Sequence, residues 1–434
     1  MKVVNLSRNG AVKVRRDVKN LLEADCELLP KSFIPGEWIV LSDQKEKAAY
    51  LAYINLNADN EQSMIRVLSK IDGYIREKMH LQGSDLGSLK ENEIGENYLK
   101  FAINAAIKRR NFFGEFEDDC MRLVYGDADK LPGLVIDKYC NIILVQINTE
   151  GIDRHRNIIQ KTMALLYPEN AVYFLDNAEE RVKNGLPIWN DEYSWQNRVS
   201  KQHIMLKENG FKIIIDEAVI QKVGYYYDHR YNRHKFENMV KKISRKKIKC
   251  AKGLDLFTYA GSWGMHQLRA GVSHVDFVDQ GKFSAVVEQN LMLNRYEGKG
   301  IFYRTDVYDF LDRRIEEKLK YDVITSDPPA FAKTVRNKEK AINGYLKLYE
   351  KIFQILESNA VLAVCSCTNY VSLEDLDFAV NEAFRRLKAR DMVSSTGANS
   401  IQLVDIGMEG PDHPIASLGD KTHYLKYLLY ILSE

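Results

Sequence analysis

Four side chains that could bind or attack a nucleoside stand directly after predicted strands in the second half of the chain. They are three carboxylates and one thiol, Asp279, Asp306, Asp327 and Cys367. A carboxylate at the end of the second strand of such a series can accept ribose hydroxyls, and one on the next strand can accept an adenine amino group. A single acid after a strand is usually a solvated helix cap. Three in succession favour a nucleoside-binding site instead.

The thiol adds a possible nucleophile to this set. Strand alternation places Cys365 and Cys367 on the same face, with Cys365 one step deeper. A lone cysteine is more often a buried core residue. A thiolate at an exposed strand end can instead add to an electron-poor carbon, which is how C5 of a pyrimidine is made nucleophilic. The neighbouring carboxylates favour this second interpretation for Cys367.

The elements that must position these residues form a regular series after about residue 210. Short apolar strands alternate with helical stretches, which indicates a parallel, doubly wound α/β sheet covered on both faces. Because the last two strands lack a helix of comparable length between them, we expect the final strand to pair antiparallel at the sheet edge. The predicted strands are 253–257, 274–279, 300–306, 321–327, 360–367, 401–407 and a terminal YLKYLLYIL. Ligands bind at the carboxyl ends of such strands.

The loop after the first of these strands reads Asp255-LFTYA-Gly261-SW-Gly264. Glycines here let the backbone approach a ligand closely and open the next helix. The loop lacks the three-glycine dinucleotide fingerprint, and no Lys-Ser/Thr pair follows it for a triphosphate. A nicotinamide oxidoreductase and a P-loop enzyme are therefore both disfavoured.

Composition limits the class of protein. The chain has 434 residues, 45% hydrophobic and 28% charged, which excludes a disordered or fibrous protein. This length predicts about three domains, which we place at 1–72 (a small β-rich module), 73–205 (a mixed α/β domain) and 206–434 (the α/β sheet). The six cysteines show no metal-binding spacing. No signal sequence or membrane-spanning apolar run is visible, so we expect a cytoplasmic protein without a metal site.

The net charge of +2 offers no general attraction to nucleic acid. A basic run at 241–252, KKISRKKIKCAK, includes Lys246 and Lys247. It could bind RNA phosphates or form a solvated helix end, and the sequence does not separate these alternatives.

Together these residues resemble class I S-adenosylmethionine-dependent RNA methyltransferases. More narrowly, the chain is similar to the family that forms 5-methylcytosine in large-subunit ribosomal RNA and carries an N-terminal PUA-like domain. The resemblance covers roughly residues 115–434. Its motifs are RLVYGDADKLPGLVIDKY (122–139), GYYYDHRYNR (224–233), LDLFTYAGSWG, the strand-end Asp279, YDVITSDPPAFAK, SCT around Cys367 and Asp412-His413-Pro414.

The resemblance implies a Rossmann-like methyltransferase domain and a role for each matching residue. Asp255, Tyr259 and Gly261 would shape the cofactor loop, Asp279 would hold the ribose, and Asp306 the adenine. Asp327 would stand near the methionine end of S-adenosylmethionine and the target base. Arg230, in a stretch that folds over the cofactor, would pair with the methionine carboxylate. The implied substrate-side residues are Phe331, His413, Lys246 and Lys247.

The implied chemistry is addition of the Cys367 thiolate at C6 of cytosine, which makes C5 nucleophilic. Pro328-Pro329 stands where related two-cysteine enzymes have Pro-Cys, so a single-cysteine scheme is implied. The base that removes the C5 proton is unassigned between Asp327 and a water. The expected partner is RNA, with a homodimer as a further expectation. The alternatives are an RNA N-methyltransferase acting on guanine or adenine and a catalytically inert RNA-binding relative.

Overall fold

The computed structural model describes residues 1–28, 33–55, 64–78, 90–112, 120–175, 179–188, 204–215, 225–247, 251–332, 334–390, 399–416 and 422–433. The chain divides into two compact units. Unit 1 contains Met1–Arg198 and the later segment Pro411–Ala416, and unit 2 contains Val199–Gly410 and Ser417–Glu434. The domain boundaries predicted after residues 72 and 205 stay a prediction.

Unit 1 begins with a five-stranded sheet in the order β1-β3-β4-β5-β2. Strands β3 and β4 are buried along almost their whole length, because one face packs on the first helix and the other on a longer helix further along the chain. The elements are β1 (Lys2–Asn5), α1 (Arg8–Arg15), β2 (Asn20–Leu21), β3 (Trp38–Asp43), β4 (Ala48–Ile54) and β5 (Ile65–Lys70).

The rest of unit 1 is a four-stranded sheet in the order β6-β7-β8-β9 with helices against it. The segment Pro411–Ala416 joins this unit, since the Arg110 guanidinium donates to the Asp412 carbonyl oxygen at 3.1 Å. The elements are α2 (Gly73–Lys78), α3 (Glu91–Phe112), β6 (Cys120–Tyr125), β7 (Leu134–Tyr139), β8 (Ile142–Ile147), α4 (Glu150–Asp153), α5 (Arg156–Leu166), β9 (Ala171–Phe174) and α6 (Glu179–Lys183).

Unit 2 is a hairpin and a long helix followed by alternating strands and helices. The hairpin and helix are β10 (Ile204–Glu208), β11 (Phe211–Ile215) and α7 (Arg230–Lys247). The alternating part is β12 (Lys252–Leu256), α8 (Ser262–Arg269), β13 (His274–Asp279), α9 (Ser284–Leu293), β14 (Gly300–Arg304), α10 (Val307–Glu316), β15 (Tyr321–Ser326), α11 (Lys338–Gln354), β16 (Leu356–Ser366), α12 (Leu373–Ala389), β17 (Ser400–Gly407) and β18 (Lys426–Ser433).

The seven strands β12–β18 form one sheet in the order β14-β13-β12-β15-β16-β18-β17. Strands β12–β16 pair in parallel, which confirms the predicted mostly parallel, seven-stranded α/β sheet. Strand order reverses at β12, whose neighbours are β13 and β15. A crevice opens outside the carboxyl ends of the strands at such a point, and ligands bind there.

The last strand differs from the prediction in one respect. β18 is antiparallel, as expected, but it lies between β16 and β17 rather than at the edge. Its near-continuous apolar sequence, KYLLYILS, is buried on both faces and suits an interior position. β17 exposes several of its residues and forms the edge instead.

Among the helices that the structure describes, none is both long enough and apolar enough to cross a lipid bilayer.

Candidate functional site

A cavity of about 370 Å³ lies at the carboxyl ends of the unit 2 strands. The four residues that the sequence placed at strand ends, Asp279, Asp306, Asp327 and Cys367, all line it. Further lining residues come from the segment before and into α7 (Tyr225, Tyr226, Asp228, His229 and Arg233), from the loop after β12 (Phe257, Thr258, Tyr259 and Ala260), and from the turn before β18 (Tyr424 and Leu425).

Asp255 fixes the conformation of the loop after β12 through hydrogen bonds. Its carboxylate is fully buried and accepts hydrogen bonds from the Thr258 hydroxyl at 2.5 Å, the Gly264 N–H at 2.9 Å and the Thr325 hydroxyl at 2.8 Å. Burial raises the pKa of this carboxyl to about 6, and the three donors oppose that shift only in part. Asp255 does not line the cavity. Its carboxylate therefore fixes the loop without reaching the cavity, and a role in cofactor binding stays a prediction.

The same loop has an unusual backbone. Phe257 and Tyr259 both have positive φ, 61° and 50°, although neither is glycine, and Gly261 has φ 84°. Residues with a side chain rarely adopt this left-handed region, and such positions cluster at ligand sites. The left-handed residues turn the chain at the end of β12 and start α8 at Ser262. Tyr259 lines the cavity, whereas Gly261 stands just behind it as the residue before the helix.

Two carboxylates on the next strand ends are held by backbone N–H groups. The Asp279 carboxylate accepts from the N–H groups of Tyr259 at 3.1 Å and Gly281 at 2.7 Å. Asp306 caps α10, because one of its oxygens accepts from the N–H of Tyr308 at 2.8 Å. Both still line the cavity, so a carboxylate can accept from a ligand there while it also fixes the protein backbone.

Asp327 follows β15 and lies between two aromatic rings, one of which donates a hydrogen bond to it. The Trp263 indole N–H donates to one carboxylate oxygen at 3.1 Å. His229 Nε2 lies 3.7 Å from the other oxygen. The Asp327 side chain remains 24% exposed, which leaves it accessible from the cavity.

Cys367 lies beside Asp327, one residue after the end of β16. Its thiol faces the Pro328 carbonyl oxygen at 3.8 Å and is partly exposed, whereas Cys365 is 1% exposed. This confirms the predicted depth order of the two cysteines. Burial, followed by the charges of Asp327 and Asp228, raises the pKa of the Cys367 thiol to about 12. The thiol is therefore protonated at neutral pH.

The arginine that reaches the cavity is Arg233 rather than Arg230. Arg230 starts α7, is 2% exposed and packs its guanidinium over the Tyr227 and Tyr231 rings, away from the cavity lining. Arg233 lines the cavity and forms a two-point ion pair with Glu208 at 2.8 and 2.7 Å. The negative charge of Glu208 raises the pKa of Arg233 despite its burial.

The residues proposed for the substrate side lie in different places. Phe331 packs against Tyr345 with ring centroids 4.6 Å apart and is not part of the cavity lining. His413 belongs to unit 1, where it is buried against the Tyr125 ring. Lys246 and Lys247 lie in the last turn of α7, and the placement of their side chains is outside the described part of the chain.

Several lining residues had no assigned role in the sequence. They are Tyr226, His229, Arg233, Trp263 and Tyr424. Three of them belong to the GYYYDHRYNR motif and Trp263 to the glycine loop, so the motifs marked the segments without showing which side chains face inward. Nothing in the sequence around Tyr424 indicated a role in the site. The fold brings its hydroxyl close to Asp228, to which it donates a hydrogen bond at 2.6 Å.

Comparison with known proteins shows related methyltransferases. No family model matches the chain. The ribosomal RNA large subunit methyltransferase I of Aeromonas salmonicida is 29% identical over 334 residues, which is 76% of this chain and 78% of that protein. The protein of the same name from Shewanella frigidimarina is 27% identical over 311 residues, 71% of this chain and 73% of that protein.

Two solved structures match along almost the whole chain. One is a methyltransferase in complex with SAH, with a TM-score of 0.70 and 17% identity over 99% of this chain and 100% of that one. The other, from Streptococcus mutans and described as a SAM-dependent methyltransferase, has a TM-score of 0.68 and 16% identity over the same shares. The chain therefore has the fold of these methyltransferases.

Proposed function

We propose that the protein is an S-adenosylmethionine-dependent RNA methyltransferase that forms 5-methylcytosine in large-subunit ribosomal RNA. The observation that carries this proposal is the position of Cys367. The thiol lines the same cavity as Asp279, Asp306 and Asp327, so a nucleophile and a nucleoside-binding set of carboxylates share one space. The names of the curated relatives support ribosomal RNA of the large subunit as the substrate.

The cavity suits S-adenosylmethionine in charge and in hydrogen-bonding groups. Asp279 would accept from the ribose hydroxyls, and Asp306 from the adenine amino group. The described lining has four carboxylates, Asp228, Asp279, Asp306 and Asp327, against one guanidinium, Arg233, which Glu208 already neutralises. This excess of negative charge favours a cationic ligand. When bound, S-adenosylmethionine supplies an electrophilic methyl group on a cationic sulfonium.

Cys367 would activate the base. Its thiolate would add at C6 of cytosine, which makes C5 nucleophilic. C5 would then take the methyl group from the sulfonium, which is left as a neutral thioether. Asp327 or a water would take the C5 proton, and the C6–S bond would break to release the thiolate. Burial and the charge of Asp327 raise the pKa of the Cys367 thiol, and a cationic sulfonium bound nearby would lower it.

The residues after Asp327 favour carbon over nitrogen as the methylated atom. Enzymes that methylate an exocyclic or ring nitrogen place an aromatic side chain directly after their Asp/Asn-Pro-Pro motif to stack the base. Ala330 lines the cavity at this position, and Phe331 packs on Tyr345 instead. A nitrogen-methylating enzyme would also leave Cys367 without a task.

Three further parts of the proposal concern the molecule outside the cavity. The five-stranded sheet of unit 1 has the β character of a PUA-like domain, and we propose that it contributes to RNA binding. The basic end of α7, with Lys246 and Lys247, would contact RNA phosphates. A homodimer and a cytoplasmic location remain predictions.

The test is incubation of the protein with unmodified large-subunit ribosomal RNA and methyl-labelled S-adenosylmethionine, followed by nucleoside analysis. We expect the label in 5-methylcytidine with the wild-type protein and none with Cys367→Ala. Label on a ring or exocyclic nitrogen would replace the proposal by the N-methyltransferase alternative. If S-adenosylmethionine binds but no nucleoside is labelled, the inert RNA-binding alternative gains support.

A further inference from the structure

The environment of Asp327 contains a histidine with a fixed orientation. His229 is 2% exposed, and its Nδ1 accepts a hydrogen bond from the Asn232 side-chain amide at 3.1 Å. The same amide also donates to the Met408 carbonyl oxygen at 3.1 Å, which fixes which way Asn232 points. Because Nδ1 is an acceptor, the proton of the neutral ring is on Nε2.

Nε2 of His229 faces Asp327. It is buried, has no hydrogen-bond partner, and lies 3.7 Å from the nearer carboxylate oxygen. A buried N–H group without a partner is costly, and such exceptions in native structures call for an explanation. The distance is slightly too long for a hydrogen bond, and a small rotation of the Asp327 side chain would close it. Trp263 holds the other oxygen of the same carboxylate, at 3.1 Å.

From this geometry we infer that His229 is a positioning residue that acts through Asp327 and that Asp327 is the base that removes the C5 proton. The inference rests on the proposed function. His229 would donate from Nε2 to the ionised carboxylate, which stabilises the charged form and aims the remaining lone pairs at the cavity. Nδ1 of His229 already accepts a hydrogen bond from Asn232, so the ring does not compete with Asp327 for the C5 proton.

Other ionisable groups lie near Asp327. They face it from β12, β16, α11 and the segment before α7, and they are Asp255, Cys365, Cys367, Tyr345 and Tyr226. All five are neutral or negative, and Asp228 adds a further negative charge. The two nearby cations are already engaged, Arg233 by Glu208 and Lys426 by the Thr368 carbonyl oxygen. His229 and Trp263 therefore supply the donors that oppose this set. Loss of the His229 donor is therefore expected to move the acidic limb of the activity profile to higher pH.

The test compares pH profiles of methylation for the full-length wild-type protein, His229→Leu and His229→Gln. The substrates are unmodified large-subunit ribosomal RNA and labelled S-adenosylmethionine, with the labelled nucleoside identified for each protein. Leucine removes the donor, whereas the glutamine amide can donate from nearly the same place. Equilibrium binding of S-adenosylmethionine serves as the control for folding.

We expect His229→Leu to lower kcat about tenfold at neutral pH and to move the acidic limb of the profile upward by about one pH unit. His229→Gln should keep the limb in place, and binding of S-adenosylmethionine should change little in either variant. If the wild type makes 5-methylcytidine and the acidic limb of the His229→Leu pH profile does not shift, the inference about His229 is overturned. The proposed function is unaffected by that result. Equal loss in both variants without a shift would also overturn the inference, since it would indicate a role in shape alone.

A different result in the wild type would be decisive for the function itself. If the wild-type protein labels a nitrogen, the proposed function fails, and the base role of Asp327 fails with it.

Discussion

The carboxylates after β13 and β14 are held by backbone N–H groups, whereas the Asp327 carboxylate after β15 meets side chains. Asp279 accepts from two backbone N–H groups and Asp306 caps α10, so neither can move without moving a loop or a helix. Asp327 meets an indole and an imidazole, and the Cys367 thiol donates to the Pro328 carbonyl oxygen at 3.8 Å. We call Asp279 and Asp306 the fixed half of the cavity, and Asp327 and Cys367 the reactive half.

The difference matches what each half has to do in the proposed reaction. A ligand that is bound and released without bond changes at its ribose or adenine is best held by groups with a permanent position and charge. Groups that gain and lose a proton need partners that tolerate both states. Substitutions in the reactive half should therefore lower kcat, and substitutions in the fixed half should weaken cofactor binding.

The largest effect is expected from Cys367→Ala. Loss of the nucleophile should lower methylation by about 10³-fold or more while S-adenosylmethionine binding stays near wild type. Cys365→Ala is the matched control, because it removes a thiol from the same strand one step deeper. It should retain most activity. Retention of activity by Cys367→Ala would contradict the division into halves.

Asp327→Asn should affect two properties of the reactive half in opposite directions. Methylation should fall about 100-fold, because the base is lost. Alkylation of Cys367 by iodoacetamide should become faster, because the Asp327 charge helps to raise the thiol pKa to about 12. In the wild type, alkylation should rise about tenfold per pH unit from pH 7 to 10 without levelling. Mass spectrometry of the Cys367 peptide measures both rates, and slower alkylation in the variant would contradict this electrostatic coupling.

Asp279→Asn should have the kinetic signature of the fixed half. One charged acceptor is replaced by a donor, so affinity for S-adenosylmethionine should fall about tenfold, with kcat at saturation close to wild type. Asp306→Asn is the milder control, because asparagine can still cap α10. Titration calorimetry and saturation kinetics measure the two quantities. A drop in kcat without loss of affinity would place Asp279 in the reactive half.

The smallest effect is expected at Gly261. Its φ of 84° makes alanine strained, so Gly261→Ala should lower the free energy of unfolding by about 1 kcal/mol and weaken cofactor binding a few-fold. Gly298→Ala is the matched control, since Gly298 has φ 72° and open space around it. It should show a similar loss in urea unfolding with unchanged cofactor binding. Equal affinities of the two variants for S-adenosylmethionine would mean that the backbone conformation of the loop does not affect cofactor binding.

The sheet and the fixed half could largely be predicted from the sequence. Buried parallel strands read as apolar runs, and an acid directly after such a run must stand at the sheet edge, as Asp279 does. The place of β18 could not be predicted, because its sequence is apolar enough for several positions. Pairing with β16 and β17 decides between them.

The reactive half depends on contacts between residues that are distant in the chain. The role of Arg233 follows from Glu208 on the hairpin before it, and the tautomer of His229 follows from an Asn232 amide that is anchored by Met408. A motif identifies the segment that carries these residues. It does not show that Arg233 rather than Arg230 faces the cavity, because that depends on how α7 packs.

The central claim is a covalent bond between Cys367 and the target cytosine, and trapping of that bond tests it most directly. In RNA that carries 5-fluorocytidine, the fluorine at C5 cannot leave as a proton would, so the protein should remain attached after methylation. We predict a covalent protein–RNA complex that requires S-adenosylmethionine, with the link on the peptide that contains Cys367. Formation of 5-methylcytidine in ordinary RNA with no trapped complex, or a link to another residue, would contradict the account.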